Sequence, residues 1–231
     1  RGLGDVYKRQ VMGNAGEPYW KFRKPKSDSK TIVNPVETDE FDSSKLGMQW
    51  QWQNDYKESY GQATSMGFFR LFTYALPELG DVSNLWYVPN MLLQKIPADE
   101  FTATTKLSFC SRNSDQYVGL VCMSAEYSSV GLQRTEDGYE LQIRHNPNAM
   151  RTHLTDEVLT VDTLKPTQKG TPRKGRPAEM HIKDVYLRMS IKDSKVNYAY
   201  SIDGKKWKKA GGEYAMGKGR WIGSKIGFFA V

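Results

Sequence analysis

The chain has few of the residues that announce chemistry. It holds two cysteines and three histidines in 231 residues, and His145, His153 and His181 share no short metal-ligand spacing with each other or with a cysteine pair. No G-x-S-x-G elbow is present for a serine nucleophile. The segment from Gly212 to Lys218 copies the spacing of a phosphate loop, but Gly219 stands where the metal-binding Ser or Thr belongs, so the match is read as chance. No window approaches the roughly 18 uncharged apolar residues of a membrane span, and the first residues lack the apolar run of a signal peptide. A membrane-spanning helix and a membrane partner are therefore not expected. Acidic residues are plentiful, but a glycosidase pair is defined by separation in space, and nothing in the sequence nominates an acid and a base.

Charge of one sign is also less abundant than it first looks. The net charge is +7, yet residues 1–38 hold eight cations against four acids, leaving only +3 for the rest of the chain. A nucleic-acid module gathers its cations on one folded face among stacking aromatics. Here they lie in the leader and in the loop Lys165 to Arg176, whose prolines and glycines predict an exposed connection. No nucleic-acid partner is expected.

Apolar content of 39%, with 13 Tyr, 9 Phe and 6 Trp, supports one packed domain of ordinary size. Residues 1–38 show neither helical nor strand period and read as a linker. Within it, Arg1 to Gln10 fits nothing that follows and resembles translated adapter read-through. From Asp39 onward the pattern is period two. Met48, Trp50 and Trp52 alternate with glutamines. Val185, Leu187, Met189 and Ile191 alternate with polar residues, then Val196, Tyr198 and Tyr200 follow the turn Lys192 to Lys195. Asp137-Gly138 and Asp203-Gly204 mark further hairpins. About a dozen strands and no long helix predict an all-β, two-sheet antiparallel sandwich of the jelly-roll kind over residues 39–231.

A hairpin of Thr104 to Cys110 with Tyr117 to Ser124 would bury Leu107, Phe109, Val118, Leu120 and Cys122 on one face. In that register Cys110 points the other way and lies roughly 16 Å from Cys122 along the ladder. A disulfide needs Cα atoms within about 7 Å, so both cysteines are predicted to be free, and no redox compartment follows.

Rings beside amides are the remaining signal, since sugars stack their C–H faces on aromatics and bond their hydroxyls to planar amides. Trp86 and Tyr87 near Asn84, Asn90 and Gln94 are of this kind, as are Trp207 and Trp221. Trp50 and Trp52 fit it too, but paired tryptophans at period two in a sandwich are more simply core. Trp221 stands among Gly217, Gly219 and Gly223, in a turn that could expose it.

Taken together, Asp39-Glu40-Phe41, Leu46 to Trp52, Leu92 to Pro97, Phe101 to Leu107, Gly119 to Met123 and Trp221 to Phe229 resemble, in order, the C-terminal concanavalin A-like domain of glycoside hydrolase family 43. Those enzymes are β-xylosidases and α-L-arabinofuranosidases. Gly16-Glu17-Pro18 and Lys24-Pro25 resemble the passage out of the catalytic domain. The resemblance implies a parent hydrolase, bacterial and either periplasmic, secreted or cytoplasmic. Its catalytic five-bladed β-propeller is the expected partner, with plant polysaccharide or oligosaccharide as substrate. Thirty-eight linker residues cannot form that propeller, so the expected role is a noncatalytic accessory domain. By the same resemblance, Trp221 is the candidate for the rim of the propeller's pocket, with Trp86 and Gln94 as further sugar-contact candidates. An independent carbohydrate-binding module and a free-standing enzyme are the other two readings. No cofactor is expected, though Asp39, Glu40 and backbone carbonyls offer the oxygens a structural calcium takes. The family's final strand, beyond Gly227-Phe228-Phe229, is expected to be missing, leaving a sheet edge open.

Overall fold

A computed structural model describes residues 21, 26, 28, 31, 34, 36–76, 84–150, 155–174, 176–218 and 223–231. In chain order the strands are β1 (Gln51–Trp52), β2 (Gly61–Ala63), β3 (Phe69–Leu71), β4 (Leu92–Lys95), β5 (Phe101–Ser111), β6 (Tyr117–Met123) and β7 (Tyr127–Arg134). They continue as β8 (Tyr139–Asn146), β9 (Glu157–Leu164), β10 (Gln168–Lys169), β11 (Met180–Lys192), β12 (Lys195–Ser201), β13 (Lys208–Ala215) and β14 (Lys225–Ala230). Single 3-10 turns at Glu58–Tyr60 and Leu85–Tyr87 are the helical content among the described residues. The chain divides into two units, Arg1–Pro35 and Val36–Val231, and every named strand lies in the second.

The strands form two antiparallel sheets and a small hairpin. The larger sheet has seven strands in the order β1-β4-β14-β6-β7-β8-β9. The smaller has β5 on one side of β11, with β12, β13 and the short β10 on the other. β2 and β3 pair only with each other. The alternation read from the sequence drives this layering: Val185, Leu187, Met189 and Ile191 of β11 and Val196, Tyr198 and Tyr200 of β12 are all buried. They meet Val118, Leu120, Cys122, Val130, Leu132, Leu141 and Ile143 of the larger sheet in one core. The turn between β11 and β12 is two residues, Asp193 (φ 50°) and Ser194 (φ 57°), the left-handed pair that matches strand twist.

One expected pairing is wrong. β5 does not pair with β6; it pairs with β11 along Phe101 to Ser111, while β6 lies between β7 and β14. The segment 112–116 therefore crosses from one sheet to the other. Phe109, Val118, Leu120 and Cys122 share a core as expected, but across the sandwich and not side by side in one sheet. Period two fixes which residues face inward and is silent on the neighbour. The cysteine outcome survives the changed geometry, because Cys110 is exposed, Cys122 is buried, and both are free.

The central strands β14, β6 and β7 of the larger sheet are buried on both faces, while its edge strand β9 is largely exposed. The sheet's outer face packs Leu93, Tyr117, Val121, Met123, Tyr127 and Phe229 under the segment carrying Leu85, Val88 and Met91. Asn84 ties that segment down by donating to the Ala149 carbonyl at 3.1 Å and capping the turn at Trp86 N at 3.0 Å. Tyr127 accepts from Leu85 N at 3.1 Å and donates to Asp156, which also accepts from Asn146 at 2.9 Å. Burial, reinforced by the Asp156 charge, holds the Tyr127 phenol far above its usual range.

Candidate functional site

The inner face of the larger sheet carries rings at its β1-β4-β14 end. Phe228 of β14 is in register with Leu92 of β4, which is in register with Trp52 of β1, so all three project from one face. Trp50 lies 5.4 Å from Phe228 and 5.5 Å from Phe41, the latter nearly parallel at 28°. Trp52 in turn meets Tyr56, Tyr60 and Phe69 at 5.8, 5.7 and 6.0 Å. Such ring pairs contribute about 0.5–1.5 kcal/mol each beyond their area.

Asp39 holds the near end of this wall. One carboxylate oxygen accepts from Phe41 N at 2.8 Å; the other accepts from Trp50 Nε1 at 2.8 Å and Gln49 Nε2 at 3.3 Å. These bonds keep Phe41 at φ 55°, a left-handed setting unfavourable for a bulky side chain. Gly67 N, from the loop between β2 and β3, donates to the Phe41 carbonyl at 3.2 Å.

Beside the wall, Trp52, Tyr56 and Phe69 line an open cleft of about 400 Å³ together with Lys45, Gln62 and four smaller or aliphatic residues. Gly61 forms part of it, and a Cβ there would come within 2.6 Å of the Arg70 carbonyl and 2.7 Å of the Phe69 ring. The nine lining residues offer rings, one amide and one ammonium, and include no carboxylate, histidine or cysteine. The arrangement can stack and hydrogen-bond a neutral polyol and has no acid and base to cleave it.

Sequence reasoning placed Trp52 in the core and missed this cleft. Met48 also departs from the expectation: it is fully exposed, since strand β1 begins only at Gln51. Of the named site candidates, Trp221 lies outside the described residues, as does His153. Ser224 Oγ donates to the Gly217 carbonyl at 2.7 Å. Trp86 is half-buried against the outer-face core, whereas Gln94 is in register with Ile226 of the inner core. The two therefore stand on opposite faces of one sheet and are not brought together. Asn84 and Asn90 are buried framework amides; Asn90 donates to the carbonyls of Phe72 and Ala230 at 2.7 and 3.0 Å. The Trp207 ring is covered by the Arg188 guanidinium at 3.5 Å.

Two polar groupings lie elsewhere. His145 is held between Glu126 and Glu157, each at 3.0 Å. Burial pulls its pKa down, but the hydrogen bonds and charges of the two carboxylates outweigh burial and raise it. Cys110, Glu179 and His181 form the second grouping, in which burial and the nearby Glu179 push the Cys110 thiol up to about 11. The first four residues of the phosphate-loop spacing, Gly212 to Ala215, lie in antiparallel β13. Among the described residues, no helix is long and apolar enough to cross a membrane.

Comparison with known proteins adds identity to this geometry. Residues 38–231 match the family described as the β-xylosidase C-terminal concanavalin A-like domain. The chain is 26% identical to a β-xylosidase of Formosa agariphila, over 93% of its own length and 35% of the relative's. It is 27% identical to a putative β-xylosidase of Xylanibacter ruminicola, over 92% of its own length and 34% of the relative's. It thus spans about a third of the curated relatives it matches. A crystal structure of xylan β-1,4-xylosidase from Bacillus halodurans superposes with a TM-score of 0.67 at 16% identity. That superposition covers 95% of this chain and 42% of the other, and at this identity it speaks to the fold.

Proposed function

Because the chain belongs to the family of β-xylosidase C-terminal concanavalin A-like domains, we propose that it is the noncatalytic partner of a family 43 catalytic propeller acting on xylan-type or arabinose-bearing chains. The observation that carries this reading is where apolar surface is left uncovered. Among the described residues, seven of the ten exposed large apolar side chains fall within residues 36–74, among them Met48, Met66, Phe68, Phe72 and Tyr74. Isolated exposed apolar residues are ordinary; their concentration in one stretch of chain is what supports a docking face there. The lining of the neighbouring cleft, which offers contact without cleavage, supports the same role. Trp221 is proposed for the rim of the propeller's pocket on the strength of its Trp-Ile-Gly context.

The test uses an enzyme carrying this domain in its natural chain. Replacing Met66 and Phe68 by Asp should lower the melting temperature of the whole enzyme by several degrees and leave the isolated domain's unchanged. Equal effects on both would refute docking through this face. In the same enzyme, Trp221→Ala should raise KM several-fold with a smaller change in kcat.

The cleft itself favours a second reading, an independent polysaccharide-binding module. That reading requires clear retardation of the isolated chain on xylan or arabinoxylan gels, abolished by Tyr56→Ala. The accessory reading expects no retardation.

A further inference from the structure

On the outer face of the smaller sheet, Cys110 of β5 and His181 of β11 are register partners. Antiparallel partners hold their Cβ atoms about 4.5–5.5 Å apart on one face. Glu179 stands two residues before His181 and so presents its side chain to the same face. The outcome is a tight trio. Cys110 Sγ lies 3.3 Å from His181 Nε2, and that nitrogen lies 2.9 Å from Glu179 Oε1. All three atoms fall within 4.8 Å of one another. Ligands at the corners of a tetrahedron around zinc, with bonds of about 2.0–2.3 Å, are roughly 3.3–3.8 Å apart. The trio is close to that spacing before any ion enters.

The surroundings fit a cation with an open position. Arg112 holds the other Glu179 oxygen, Oε2, at 2.6 Å, and so orients the carboxylate from outside and leaves Oε1 to the trio. With Cys110 ionised, thiolate, carboxylate and guanidinium sum to a single negative charge, which a divalent ion reverses. Cys110 is exposed and its two companions half-buried, so the ion can enter from solvent and keep a water as its fourth ligand.

We propose that Cys110, Glu179 and His181 are a binding site for a soft divalent cation of the zinc class, clasping β5 to β11. Thiolate and imidazole select such an ion over calcium or magnesium, which prefer oxygen. Binding releases the thiol proton to solvent; the proton that Nε2 shares with Oε1 passes through solvent to Nδ1, and the freed Nε2 and Oε1 each bond the ion. The site lies on the sheet face away from the core and stands independently of the accessory role proposed above.

Cobalt(II) titrated into the full chain, reduced and then freed of thiol reagents, tests this directly. The expected result is a near-ultraviolet thiolate-to-cobalt charge-transfer band that saturates at one equivalent and is abolished by zinc. Cys110→Ser removes the band, and His181→Ala weakens binding by at least about tenfold. Zinc raises the melting temperature of the unaltered chain and not that of Cys110→Ser. Absence of the band, its persistence in Cys110→Ser, or undiminished affinity in His181→Ala would overturn the proposal.

Discussion

Asp39 shows how much a single side chain can organise. Three N–H groups from Phe41, Gln49 and Trp50 converge on it, and removing their acceptor leaves partly buried donors unpaired. Asp39→Ala should cost about 1–3 kcal/mol in urea unfolding and shift tryptophan emission to the red as Trp50 loosens. His145 makes the pH-dependent counterpart. Its folded pKa is raised, so its stabilisation is fully present below the unfolded value of about 6.5 and is lost as pH rises through the folded one. Unfolding free energy should therefore decline across that window, and His145→Gln should flatten the decline. Because Glu157 is 71% exposed, added salt should shrink the effect. Neither role was legible in the sequence. Asp39 drew notice as part of the Asp39-Glu40-Phe41 motif and as a calcium ligand, not as an acceptor for Trp50, and the partners of His145 stand 19 and 12 residues away. Single-residue roles of this kind depend on the register of strands, which residue type does not report.

Strands themselves were easier to read than their neighbours. The β11-β12 hairpin follows from strict alternation plus a short turn, and both are local. The partner of β5 is not local: its ladder joins residues some 70 to 90 positions apart, and the short segment before β6 invites the wrong hairpin. The Cys110, Glu179 and His181 grouping is hidden for the same reason, since motif spacings find ligands on one turn or loop and not across a ladder. At the β11-β12 turn, Asp193 and Ser194 adopt left-handed angles suited to Asn-Gly. Replacing the pair by Asn-Gly should raise stability by roughly 0.5–1 kcal/mol, measured by denaturant midpoint at constant slope.

The unit Val36–Val231 pairs a seven-stranded sheet with a five-stranded one, and a wall of rings from residues 41–69 occupies the β1-β4-β14 end of the larger sheet's inner face. The cleft and the concentration of exposed apolar residues both belong to this N-terminal part of the domain. The sandwich class was legible because burial on one face writes itself as alternation, as it does in β11 and β12. The cleft was not, because a tryptophan that walls a cleft and one that fills a core look alike in a sequence. The central proposal is that this domain serves a neighbour's chemistry and performs none. Release of nitrophenol from aryl xylosides and arabinofuranosides by the purified chain measures that most directly. No rate above the uncatalysed background is predicted; turnover that scales with chain concentration and disappears on replacing one of its own carboxylates would contradict it.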